Sequence, residues 1–147
     1  MSQEVGGSVK IEQRIDAPAE KVAAYIGDFR NAKEWMVGVE RVEKLEDGCY
    51  RLTLESPIGK LEPETKIVEH EPHSISWVYT SMIEGGGRVD VSPEADGCVV
   101  SYTGAFRLKR KLLNRAARLV GVERFAHKNG ERSLLRLKHL MEAHRYR

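Results

Sequence analysis

The sequence predicts an α+β fold in which an antiparallel sheet of about seven strands curves around one long C-terminal helix. Three observations carry this. Between Val37 and Phe106, successive segments alternate apolar and polar residues with period two, and turn residues separate them. From Lys111 to Arg147, apolar residues recur at helical spacing instead. Asp16-Ala17-Pro18 divides an opening strand from a short helix. A helix with a single apolar stripe must bury it, and a curved sheet is the only other large surface this chain can build.

The elements follow in the order strand, two short helices, six strands, helix. Residues 8–15 put Val9, Ile11 and Ile15 on alternate positions of a half-buried strand. Asp16 suits an N-cap and Pro18 a first helical turn, and residues 19–26 then carry Val22, Ala23 and Ile26 on one face. A second short helix covers Asn31 to Trp35. The six strands are Val37–Leu45, Cys49–Ser56, Leu61–His70, Ser74–Ser81, Arg88–Ser92 and Cys98–Phe106. Asp47-Gly48 and Asp96-Gly97 supply positive φ for tight hairpins, while Gly85-Gly86-Gly87 reads as a flexible loop. Ile75, Trp77 and Tyr79 share one face of their strand, but period two does not say which face looks inward.

Composition bounds the class. A length of 147 residues suits a single domain over residues 1–147, with 1–7 as a flexible N-terminus. Hydrophobic residues at 41% and charged residues at 31% belong to a globular protein. No apolar run reaches the roughly 20 residues of a membrane span, and MSQEVGGSVK has no signal-peptide core, so the expected location is cytoplasmic. Cys49 and Cys98 make no disulfide framework, and both sit at hairpin tips without basic neighbours. The five histidines form no metal-ligand pair on a helix, and no metal or cofactor is expected. From Arg107 onward there are 13 Lys/Arg against 3 Asp/Glu, although the whole chain carries only +2. Such an end suits either an anionic partner or a solvated helix face docked on an acidic sheet.

A further pattern runs along the chain. Ile15-Asp16-Ala17-Pro18-Ala19-Glu20-Lys21-Val22 is followed by Asp28-Phe29, Asn31, Glu34-Trp35 and Gly38-Val39. Glu69-His70-Glu71-Pro72 then precedes the strand with Trp77, and Asp96-Gly97 precedes the strand Val99–Thr103. In this order the set resembles the START-like or SRPBCC superfamily, also called helix-grip, and within it the small polyketide cyclase/dehydrase and lipid-transport proteins. The resemblance spans roughly residues 8–143. It implies a cavity between the curved sheet and the final helix that takes a hydrophobic or amphipathic small molecule such as a lipid, isoprenoid, quinone or polyketide. It transfers an architecture and a pocket rather than a reaction: a carrier is one reading, a polyketide cyclase, aromatase or dehydratase another.

Site candidates follow from which polar and aromatic residues face that space. On a wheel of about 100° per residue, Leu119, Glu123, His127, Gly130, Leu134, Leu137 and Met141 share the apolar stripe of the last helix. Glu123 and His127 lie four apart, so Glu123 can orient His127 as an acid, a base or a ligand anchor. Alternatively, a kink at Gly121 or Gly130 turns the pair to solvent, or it bonds to Tyr or Arg on the sheet. Trp77, Tyr79 and Tyr102 are candidate wall residues; Trp35 reads first as an anchor for the two short helices against the sheet and second as a ligand-stacking wall residue. Arg51 and Arg88 reach an acidic ligand only if they point inward. Arg107, Lys109, Arg110 and Lys111 join the last strand to the helix near the expected cavity mouth. There they suit an anionic membrane surface, an acidic head group or a partner protein. Without interleaved aromatic residues they do not suggest nucleic acid.

Overall fold

The structure, a computed structural model, describes the backbone of residues 6–56, 59–108 and 122–143, with side chains from Arg124 onward in the last of these segments. The elements are β1 (Gly6–Ile15), α1 (Ala19–Gly27), a 3-10 turn (Phe29–Asn31), α2 (Ala32–Trp35), β2 (Val39–Glu46), β3 (Cys49–Ser56), β4 (Gly59–Leu61), β5 (Glu64–Glu71), β6 (Ser74–Tyr79), β7 (Ile83–Glu94), β8 (Gly97–Leu108) and α3 (Val122–Ala143). The eight strands form one antiparallel sheet in the order β1-β8-β7-β6-β5-β3-β2, with β4 folded back on β3. The α+β expectation and the strand–helix order hold.

Several local expectations are corrected. Leu61–His70 is not one strand, because Pro63 cannot donate to a ladder and separates β4 from β5. β1 begins at Gly6, where Gly6 and Gly7 already pair with Arg107 and Phe106. Pro18 rather than Asp16 occupies the N-cap of α1, and its carbonyl accepts from Lys21 and Val22 N–H. Gly48 has the expected positive φ of 78°, but in the second hairpin the positive φ belongs to Ala95. Gly97 is needed for close approach instead, since a Cβ there would sit 2.5 Å from the Ile15 carbonyl oxygen.

The largest correction concerns Gly85-Gly86-Gly87, which is no loop. All three lie in β7, paired with Phe106, Ala105 and Gly104 of β8. A Cβ on Gly87 would fall 2.4 Å from Cζ2 of Trp77, and one on Gly86 would fall 2.0 Å from the Trp77 carbonyl oxygen. The glycines make room for the Trp77 indole and for close strand approach.

The sheet's inner face carries Val9 and Ile15 of β1, Ile75 and Trp77 of β6, Val89 and Val91 of β7, and Cys98 and Val100 of β8, all buried. These join Val22, Ile26, Phe29 and Trp35 of the short helices and Leu134, Leu137 and Met141 of α3 in one core. A smaller apolar cluster of Leu61, Ile83 and Leu108 sits apart from it. α3 runs chiefly along β1. Its last turns are tied down by the Glu142 carboxylate, which accepts from Asp16 N–H at 2.9 Å.

If the β7 glycines act by making room, Gly87→Ala should destabilise the protein by about 1–3 kcal/mol through overpacking against Trp77. Urea denaturation should show this as a lower midpoint with a blue- or red-shifted native tryptophan emission, and an unchanged midpoint would argue against it.

Candidate functional site

Between the two apolar clusters lies a cavity of about 200 Å³. Its walls come from every layer of the fold. The α2–β2 junction contributes Trp35 to Val39, and β3 contributes Leu52, Leu54 and Glu55. The sheet floor supplies Trp77, Tyr79, Tyr102 and Phe106. α3 covers it with Phe125, Ala126, Asn129, Gly130 and Ser133. Six of the chain's ten aromatic residues therefore meet here: Trp35, Trp77, Tyr79, Tyr102, Phe106 and Phe125.

The roof is set by two residues one helical turn apart. Gly130 is buried, and a Cβ there would lie 2.6 Å from Cδ1 of Ile11 and 3.5 Å from Cε2 of Tyr102, so the missing side chain lets α3 approach β1. Ser133 accepts from Val37 N–H at 2.8 Å and donates to the Asn129 carbonyl. It thereby pins the α2–β2 junction to the helix. Gly38, with φ of 97°, then turns the chain into β2, and its carbonyl accepts from Glu55 N–H at 2.8 Å.

The sequence's candidates separate clearly. Trp35 is 2% exposed and Trp77 3%; both belong to the core and also edge the cavity. Tyr79 and Tyr102 line it, so the Ile75–Trp77–Tyr79 face is the inward one. Trp77 and Tyr102 lie nearly parallel, with ring centroids 6.3 Å apart and an interplanar angle of 15°. Leu134 is core rather than lining. His127 is corrected: its side chain is 52% exposed and its Nδ1 pairs with Glu131 at 2.9 Å, off the cavity wall. Leu119, Lys109, Arg110 and Lys111 lie outside the described residues, as does the side chain of Glu123. Arg107 pairs with Glu84, Arg51 with Glu43, and Arg88 with Glu69 and Asp90.

The His127 correction has a geometric cause. The cavity-lining residues 125, 126, 129, 130 and 133 centre on a direction about 70–80° from that of Leu134, Leu137 and Met141 on a wheel of 100° per residue. Sheets twist, and a helix packed along one meets an inward direction that changes along its length. His127 lies in line with the C-terminal stripe but about 120° from the centre of the cavity-facing one. Asn129 and Ser133, which the wheel passed over, are the polar pair that faces inward. Phe106 was legible, since it shares strand parity with Tyr102.

Electrostatics divide the cavity into a neutral interior and a charged rim. Burial pushes the Tyr102 phenol far above the usual tyrosine range, with a smaller push from neighbouring Tyr79. Burial also raises Tyr79, opposed in smaller part by the nearby Trp77 indole N–H. Both hydroxyls are thus neutral donors at physiological pH. At the rim, Glu55 is raised by its hydrogen bond with Glu40, whereas Lys60, 3.1 Å from Glu40, lowers Glu40. Among the described residues, no group of three or more His, Cys, Asp or Glu could hold a metal ion, and no helix is long and apolar enough to cross a membrane.

A curved antiparallel sheet gripping a C-terminal helix across an apolar cavity defines the helix-grip, START-like class. The profile of the family described as polyketide cyclase / dehydrase and lipid transport matches residues 7–142, and the chain belongs to that family. No curated protein matches the sequence. Among solved structures, one from Deinococcus radiodurans is 28% identical, covering 76% of this chain and 92% of its own, with a TM-score of 0.62. A START superfamily protein from Mycobacterium smegmatis is 17% identical, covering 93% of this chain and 98% of its own, with a TM-score of 0.77. The Zhui aromatase/cyclase from Streptomyces is 16% identical, covering 94% of each chain, with a TM-score of 0.74. The last two establish the fold alone.

Two outcomes follow. Tyr79 and Tyr102 are raised, and so is Tyr25, through burial and its hydrogen bond to Glu34. Up to a pH of about 10 folded and unfolded chains both keep these protons, and above it the unfolded chain loses protons that the folded chain holds, so stability should fall. Absorbance at 295 nm should show these phenols ionising only as the fold is lost, and a folded protein titrating all five tyrosines near pH 10 would contradict the account. His127→Ala, at an exposed position, should change stability by no more than about 0.5 kcal/mol and leave ligand uptake intact. Loss of uptake in a normally folded variant would return His127 to the site.

Proposed function

We propose that the protein binds and carries a hydrophobic or amphipathic small molecule in the cavity between the sheet and α3. The lining is the observation that supports this reading. Aromatic and aliphatic walls line the space, and its polar groups Tyr79, Tyr102, Asn129 and Ser133 are neutral, with Glu55 the acidic residue among the described lining. Apolar walls with a few placed hydrogen-bonding groups suit binding and orientation. The exposed position of His127 supports binding over acid/base chemistry by that residue. Lipids, isoprenoids, quinones and polyketide-like molecules are the classes the family suggests.

A second reading, a polyketide cyclase or aromatase, is favoured by one observation. Two neutral phenols lie close together at the cavity wall, where they can donate to a carbonyl oxygen and stabilise charge developing there. The two readings differ in what the protein returns. A carrier releases its ligand unchanged, whereas a cyclase releases a dehydrated or ring-closed product.

Both of the chain's tryptophans edge the cavity, so intrinsic fluorescence reports on occupancy directly. Organic extraction of the purified protein should yield an apolar molecule by mass spectrometry. Adding it back should change tryptophan emission in the stripped protein but much less in Leu54→Trp, whose larger side chain fills the space. A protein that purifies empty and gives no response to any apolar extract would sink the binding reading.

A further inference from the structure

The outward face of α3 carries charge that the protein itself does not neutralise. Arg124, Lys128, Arg132 and Arg136 recur at every fourth residue, and all four are exposed. None of them has a salt bridge among the described residues. Elsewhere the pattern is different: Arg14, Arg30, Arg51, Arg88 and Arg107 each meet a carboxylate.

The spacing of the row works against the helix. Side chains four residues apart on a helix are neighbours, and like charges placed there weaken it. Three such pairs follow one another here: Arg124 with Lys128, Lys128 with Arg132, and Arg132 with Arg136. Along the border of the same face α3 uses the favourable arrangement, with His127 paired to Glu131 and Lys138 to Glu142. A glutamate at position 132 would turn two repulsive pairs into attractive ones. Cations held against the helix's own stability suit an anion supplied from outside.

Geometry narrows that anion. Each step of four residues rises about 6 Å and drifts about 40° around the axis, so the row runs for about 18 Å. A second α-helix with carboxylates at the same interval repeats this rise and drift. Rows of this kind lie side by side when two helices cross at about 50°. Three of the four cations are arginines, whose planar forks take a carboxylate through two parallel hydrogen bonds. A membrane surface fits less well. Among the described residues this face offers one large exposed apolar side chain, Leu135, and the exposed Glu131 at its border would meet the lipid phosphates. Leu135 lies within the arc of the row, where it gives a partner helix a single apolar contact.

We propose that this face of α3 docks an acidic α-helix of a partner protein, with Arg124, Lys128, Arg132 and Arg136 engaging carboxylates at four-residue spacing around Leu135. The row is centred about 110° around the helix from the cavity-lining residues of α3, so docking leaves the cavity free and does not depend on what the cavity holds.

Fluorescence anisotropy of two stapled helical peptides, titrated with the full-length protein, tests this. Both have one composition; one carries glutamates at every fourth position and the other carries the same glutamates in consecutive positions. At about 10 mM salt, where the screening length is about 30 Å, the spaced peptide should bind more tightly, and its affinity should fall as salt rises. The difference should be about tenfold, as several exposed ion pairs together allow. Lys128→Glu/Arg132→Glu should lose this binding, whereas Lys66→Glu, which removes an exposed cation from the sheet, should keep it. Arg132→Glu alone should raise the thermal midpoint by about 2–4 °C. A midpoint that does not rise would show that the row carries no strain for a partner to relieve, and would overturn the proposal. Equal binding of the two peptides would overturn it in favour of any polyanion. Binding to phosphatidylserine vesicles but to neither peptide would give the face to a membrane instead, and binding to none of the three would leave it a solvated surface.

Discussion

Helix α3 can close on the sheet only where it has no side chain in the way. At Gly130 it comes within reach of Val9, Ile11 and Tyr102, and one turn later Ser133 takes the Val37 N–H. Beyond that point Leu134, Leu137 and Met141 sink into the core with α1 and the sheet. Before it, Phe125, Ala126 and Asn129 span an opening rather than a packed interface. Interiors normally pack to near-crystalline density, so a half-open pocket of about 200 Å³ persists because the elements around it hold its walls apart. Here the Ser133 tether and the two separate apolar clusters are those elements.

That arrangement decides what the void can do. Its inner groups are uncharged, and burial keeps the two phenols protonated, so the interior attracts apolar guests with acceptor atoms. The charges stay outside. Glu40, Glu55 and Lys60 meet at the rim, and the arginines of β3, β7 and β8 pair with carboxylates on the exposed surface. The outer pairs, being solvated, contribute little to stability.

Much of this was legible in the residues, and what was not has specific physical causes. Alternation put Trp77 with Ile75 and Tyr79, but only the folded sheet showed that this face looks inward. A single wheel for the last helix placed Leu134, Leu137 and Met141 correctly and His127 wrongly, because sheet twist rotates the inward direction along the helix. Gly85-Gly86-Gly87 looked like a loop since composition cannot show that an indole on the neighbouring strand needs the space. Gly130 was noted within the stripe as a point of bending; its use as a contact point required Ile11 and Tyr102 to be seen beside it.

The central claim is that sheet and helix enclose an apolar space bounded by Trp77, Tyr102 and Ser133. Xenon enters dry apolar cavities of this size and scatters strongly. A crystal of the ligand-free protein pressurised with xenon should show a peak in that space, within contact distance of the Trp77 indole and the Phe125 ring. Electron density showing Phe125 or Trp35 collapsed into the space, with no xenon there, would contradict the account.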